Sequence, residues 1–357
     1  MTIEKSDGLM LQEALSQPEA WRELIPHILS KAENIEHFFS GKTDVLFSGC
    51  GSGLNASRFA APLFQSITGR DSNYAPAADV FLFEDSALSD PVNSAAILQS
   101  RSGSTTEVLR AMESLKRKRV PVLGITCSPD SPLATDADLA LVLDPVQEKA
   151  VTTTRSLTGM MITCQLLATV VGDDTGLLQE LHRLPDSLAA VLDTMHASGR
   201  RIGESTAYNR VALVANGPFY GAAREGQLKF LETCLIPADS YPMLDYRHGP
   251  QATVDEHLLL ISLVSRRGYP DEVPFVCEMN ALGATTVVLC DQADSELRSA
   301  ADILVEFNAG LSDFANGPLY LPVIQTAAFY HARSLGHNPD EPRNLSYWID
   351  TSSISAA

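Results

Sequence analysis

No CxxC pair occurs in the sequence: its six cysteines, Cys50, Cys127, Cys164, Cys234, Cys277 and Cys290, lie apart in apolar segments. That distribution reads as buried free thiols in a reducing cytoplasm. The N-terminus, MTIEKSDGLM, has no apolar signal core, and no window approaches the ~18 uninterrupted apolar residues of a membrane span. A soluble, cytoplasmic protein without a membrane partner is expected. Basic residues are also short: 26 Lys and Arg face 44 Asp and Glu, for a net charge of -18. Such a field disfavours nucleic acid and anionic membrane surfaces, although local positive groups can still hold a small anion. Neither GxxxxGK[ST] nor GxGxxG is present, which disfavours nucleotides. No His/Asp/Glu cluster has ligand spacing, so neither a metal nor an organic cofactor is implied.

What the sequence does have is alternation. Strand-like runs (TDVLFSG, SAAILQS, VPVLGIT and LALVLD, then RVALVAN, LLLISLVS, ATTVVLC and DILVEF) are separated by helix-like runs through its 357 residues. Apolar runs of this length between helices indicate a parallel sheet covered on both faces, hence the α/β class. The two halves also match each other. LFSGCGSG at 46–53 pairs with LVANGPFYG at 213–221, LQSRSGSTTE at 98–107 with LVSRRGYPDE at 263–272, and ADLALVL at 137–143 with ADILVEF at 301–307. The offset stays at ~165 residues, the mark of a duplicated unit. The resulting division is an N-terminal helical segment at 1–40, a first domain at 41–175, connecting helices at 176–200, a second domain at 201–340 and a tail at 341–357.

The halves differ where chemistry is expected. SRSGSTTE carries five hydroxyls, those of Ser100, Ser102, Ser104, Thr105 and Thr106, around Gly103. It falls between a strand and a helix, where open parallel sheets bind ligands and a helix N-terminus favours an anion. Hydroxyl donors on a glycine turn suit a phosphate monoester, while a plain serine-rich turn with an N-cap is the bland alternative. The second copy, SRRGYPDE, has lost the hydroxyls, so the fold does not require them. GCGSG at 49–53 and VTTTRSLTG at 151–159 add two more hydroxyl-rich helix starts. In the second half, AREGQLKFLE reads as a helix on which Glu225, Lys229 and Glu232 share a face. Either this is a surface ion pair with a solvated Glu232, or it supplies a carboxylate base. YRHGP sets His248 before a Gly-Pro turn; a lone histidine is commonly structural, but it also titrates near neutrality.

These motifs, with NPDEPRNL and the opening MLQEALSQPEAW, make the chain resemble the double sugar isomerase (SIS) domain family over nearly its whole length. It is similar to the isomerase half of glucosamine-6-phosphate synthase and to the tagatose-6-phosphate ketose/aldose isomerase group, which includes amino-sugar-phosphate deaminases. The resemblance implies two tandem doubly wound, flavodoxin-like α/β/α SIS domains. It implies that Ser52, Ser100, Arg101, Ser102 and Thr105 hold the sugar phosphate and that Val151 and Thr153 line the sugar. Glu232 would be the base that moves a proton between C1 and C2, with Lys229 and Glu225 as supporting charges. His248 would open the ring from the neighbouring subunit of a homodimer with shared active sites, and the tail with Ser346 would close over the site. Two departures narrow the activity. A glutaminase domain is not expected, and Tyr347 stands where the synthase has an imine-forming lysine, which tyrosine cannot replace. The expected function is a phosphosugar isomerase or amino-sugar-6-phosphate deaminase acting on a hexose 6-phosphate. The alternatives are a catalytically silent phosphosugar sensor and a deglycase of phosphorylated sugar amines.

Overall fold

The computed structural model describes residues 8–88 and 90–349. The first seven residues of MTIEKSDGLM and the tail from residue 350 onward, part of the expected 341–357 element, lie outside the described residues. Two compact units account for the chain. One comprises Glu19–Lys149, Arg155–His182 and the tail from Ser346; the other comprises Ala150–Thr154, Arg183–Leu345 and the N-terminal stretch to Pro18.

The first unit is built on five strands, β1 (Asp44–Gly49), β2 (Asp71–Pro76), β3 (Ser94–Gln99), β4 (Val122–Thr126) and β5 (Leu139–Val142), in the order β2-β1-β3-β4-β5. Every pairing is parallel. A strand sandwiched between helices must be apolar on both sides, and β3 is buried at all six positions. Leu46, Ala96, Leu98 and Val122 on one sheet face pack with Val80, Val108, Ala111, Met112 and Leu115 from the covering helices Ala77–Leu82 and Thr106–Arg117. Helices Ser52–Thr68 and Arg155–Gly172 pack on each other.

The second unit repeats this plan with β6 (Arg210–Ala215), β7 (Ala238–Pro242), β8 (Leu258–Leu263), β9 (Thr285–Cys290) and β10 (Ile303–Glu306). Read from β7, its order is β7-β6-β8-β9-β10, again all parallel. Both sheets thus have the 2-1-3-4-5 order of flavodoxin-like folds, as the family resemblance implied, and are all parallel, as the alternating runs implied. Val273, Val276, Met279 and Leu297, from helices Tyr269–Ala281 and Ser295–Ala300, cover one face. Helix Phe219–Cys234 packs on helix Asp313–Ser334.

Eight strands coincide with the apolar runs in the sequence. Two of the four edge strands, β2 (DSNYAP) and β7 (ADSYP), do not, because an edge strand can do without an apolar run; β2 has no buried residue, while the other two edges, β5 (LALV) and β10 (ILVE), keep one. The region expected to hold connecting helices is one helix, Thr175–Gly203, with Pro185 inside it. All six cysteines are free, four buried and two half-buried. Among the described residues no helix is long and apolar enough to cross a membrane.

Candidate active site

At the carboxyl end of β3 the chain turns through residues 100–104 into helix Thr106–Arg117. Gly103 makes the turn possible: its φ is +63°, and a Cβ there would overlap the Ser131 side chain. Its N–H donates to the Ser100 Oγ at 3.1 Å. The Ser100 and Thr105 hydroxyls lie 2.9 Å apart, and Ser102 Oγ accepts the Ser104 N–H at 3.2 Å. Thr105 is the N-cap residue, yet its side chain makes no capping bond. The bland capping explanation therefore fails for Thr105; its hydroxyl is turned into the cluster with Ser100 instead. Ser52, half-buried, opens helix Ser52–Thr68 after Gly51. A Cβ on Gly53 would overlap the Gln99 carbonyl oxygen, so this loop sits against the end of β3.

Arg101 is held away from solvent with its side chain 7% exposed. It meets Glu148, whose side chain is fully buried, at 3.4 Å. Its Nη2 donates to the Tyr347 carbonyl at 2.9 Å, and its Cζ lies 3.8 Å from the centre of the Tyr347 ring. Glu148 also accepts the Ser156 hydroxyl. Sequence reasoning missed Glu148: a single carboxylate in QEKAVTTT has no local pattern, and its burial is set by partners far along the chain. Ser346 is exposed, its hydroxyl donating to the Trp348 carbonyl at 2.7 Å.

The matching turn of the second unit keeps the same scaffold bond, Gly268 N–H to Ser265 Oγ at 2.9 Å. Here, however, the protein's own carboxylates fill it. Fully buried Glu272 accepts the Ser265 N–H at 2.7 Å and the Asn216 amide at 2.8 Å. Asp313 accepts the Arg266 and Arg267 N–H groups at 2.8 and 2.9 Å. Burial pushes the Glu272 carboxyl above its ordinary pKa, against the bonds from Ser265 and Asn216 that lower it. In the second copy the turn is thus occupied by the carboxylates of Glu272 and Asp313, where the first presents hydroxyls.

The residues singled out in the second unit lie on helix Phe219–Cys234. Gly226 lets this helix approach β6, since a Cβ there would overlap Leu213 and press on Ile324. Glu225 and Lys229 have fully buried side chains, and Glu232 is 18% exposed. The surface-ion-pair alternative is thereby overturned. Lys229 Nζ lies 3.1 Å from Glu225 and 2.7 Å from Glu232, and it donates to the Thr153 carbonyl at 3.2 Å. Burial alone would depress the Lys229 pKa, but Glu225 and Glu232 outweigh it and the pKa is raised. Gln325, fully buried, donates to the Thr154 carbonyl at 3.2 Å and steadies the segment that carries half-buried Val151 and Thr153. His248 ends a 3-10 helix after β7 and is exposed.

The comparisons with known proteins agree with this architecture. The SIS domain family model matches twice, over residues 38–170 and 206–332. A glutamine–fructose-6-phosphate aminotransferase (isomerizing) of Methanothermobacter thermautotrophicus is 24% identical over 95% of this chain and 57% of its own length. The corresponding protein of Caldanaerobacter subterraneus is 28% identical over 70% of this chain and 42% of its own. The chain spans about half the length of the curated relatives it matches. Tagatose-6-phosphate ketose/aldose isomerase from Escherichia coli superposes with a TM-score of 0.84 at 22% identity, covering 95% of this chain and 96% of that one. Glucosamine-6-phosphate deaminase from Thermotoga maritima superposes at 0.74 with 26% identity, covering 91% and 99%. With both sheets in one strand order and the family model matched once on each, the chain belongs to the SIS domain family.

Proposed function

We propose that the protein is a phosphosugar isomerase or amino-sugar-6-phosphate deaminase acting on a hexose 6-phosphate. The observation that carries this reading is Glu232. It is a carboxylate that still reaches solvent, and one of its oxygens lies 2.7 Å from the ammonium of a wholly buried lysine. A base that shuttles a proton between C1 and C2 needs this combination of accessibility and fixed direction. Removal of the C2 proton of an aldose gives an enediol, and return of that proton to C1 gives the ketose. In a 2-amino sugar the same shift leaves an imine at C2, which water hydrolyses to the ketose and ammonia. Lys229, with its ammonium shared among Glu225, Glu232 and Thr153, orients the base. Ser100, Ser102 and Thr105 are assigned to the phosphate, Ser52 to the adjoining loop, and Val151 and Thr153 to the sugar. Exposed His248 is assigned to ring opening, with a homodimer as the functional unit. The relatives named as a glucosamine-6-phosphate deaminase and as isomerizing aminotransferases support a substrate of this class.

The test is deuterium wash-in in D2O, at C1 of fructose 6-phosphate and tagatose 6-phosphate and at C2 of the aldoses formed from them, alongside ammonia release from glucosamine 6-phosphate. Isomerase activity gives exchange without ammonia, and deaminase activity gives ammonia with ketose. Glu232→Gln is expected to abolish both while sugar phosphate still binds. Ser102→Ala is expected to weaken binding by ~1–3 kcal/mol, the range for a charge-assisted hydrogen bond. Parental exchange rates in Glu232→Gln would refute the base assignment.

A further inference from the structure

The arginine of the seryl turn is engaged with the tail. Arg101 lies between buried Glu148, at 3.4 Å, and Tyr347, whose ring centre is 3.8 Å from the guanidinium carbon. Two further bonds close the arrangement: Arg101 Nη2 donates to the Tyr347 carbonyl at 2.9 Å, and the Tyr347 hydroxyl donates to the Glu148 carbonyl at 3.0 Å. Glu148 is itself fixed by the Ser156 hydroxyl. Tyr347 therefore touches the pair through its ring, its hydroxyl and its backbone. A guanidinium desolvated on one side by a carboxylate is a strong partner for an aromatic face on the other. Beside this stack lies a pocket of about 360 Å³ lined by Ser102, Ser104, Asp130, Gln147, Tyr347 and Trp348, among others.

We propose that Arg101 is the dock for the C-terminal tail rather than a phosphate ligand, and that Tyr347, latched onto it, sets the wall of the pocket beside the seryl turn. Glu148 holds the guanidinium in place, and the stack fixes residues 346–348. Tyr347 and Trp348 then face a pocket whose other side is Ser102 and Ser104, so the latch determines the size of the group that can lie next to a phosphate in the turn. The tyrosine at the position of the synthase lysine has a binding role in place of imine chemistry.

The cleavage experiment needs no substrate, so its outcome is independent of the activity proposed above. The full chain is treated with chymotrypsin under native conditions, and cleavage after Trp348, which is 50% exposed, is followed by mass spectrometry. Tyr347→Ala is expected to speed this cleavage about tenfold, because cleavage tracks the population of the undocked tail. Tyr347→Phe keeps the stack and the carbonyl contact and is expected to stay within about threefold of the parent. Arg101→Gln should match Tyr347→Ala. Were Arg101→Gln not to fold, the two Tyr347 variants, which leave the Arg101–Glu148 pair intact, decide the matter alone. Unchanged cleavage in Tyr347→Ala overturns the proposal. So does an Arg101→Gln protein that loses affinity for inorganic phosphate while its tail is cut at the parental rate.

Discussion

Replacing Lys229 with methionine removes a charge and nearly preserves volume, so the result isolates the electrostatics of the triad. Glu225 would be left fully buried without its ammonium partner, and the Glu232 contact at 2.7 Å would be lost. Breaking a buried pair from one side costs ~3–5 kcal/mol, because the surviving charge is neither solvated nor paired. For a unit of this size that corresponds to a fall in Tm of about 6–20 °C. The double variant Lys229→Met/Glu225→Leu removes both charges and should recover most of the loss. Urea unfolding of parent, single and double variants measures all three values. The pH dependence has a definite sign. Lys229 has a folded pKa raised above 10.5. A base of this kind contributes its full stabilisation below the unfolded value and loses it only as pH rises through the higher folded value. Lys229 itself should therefore add no pH dependence near neutrality, and its contribution should shrink only in stronger alkali. A single variant within ~1 kcal/mol of the parent, on the scale expected for an exposed pair, would refute the buried-triad reasoning.

Gly103→Ala should destabilise the first unit by ~2 kcal/mol or more and weaken sugar phosphate binding, since the left-handed backbone and the overlap with Ser131 both resist a Cβ; calorimetry reads the two effects in one series. Glu272→Gln tests the internal anion of the second turn. Glu272 has a raised folded pKa, so its contribution is complete below the ordinary carboxyl value of 4.5 and declines as pH rises through the folded one. The glutamine variant should gain on the parent as pH climbs through that window, and parallel stability curves would contradict the assignment.

How much was legible follows from what local spacing can encode. Eight strands were legible from their apolar runs, the six inner ones because burial on both faces demands such runs and the edge strands β5 and β10 because they keep short apolar runs; the edge strands β2 and β7 were not, because their sequences are largely polar and β2 buries no residue. The duplication was legible from the offset between the halves, and the hydroxyl turn and the Glu225–Lys229–Glu232 face from their residue types and helical spacing. Depth was not legible: the same i, i+4 pair lies equally well in water, and only the packed structure puts Lys229 out of reach of solvent. Nor could spacing show which partner Arg101 takes. Tyr347 is 246 positions away, and Glu148 became its counter-ion only when the chain brought three separate segments together. Sequence by itself determined which groups the protein carries and on which elements. Tertiary structure decided which of them are desolvated, and so which charges must be paired, because solvent access is a property of the packed chain and not of any window along it.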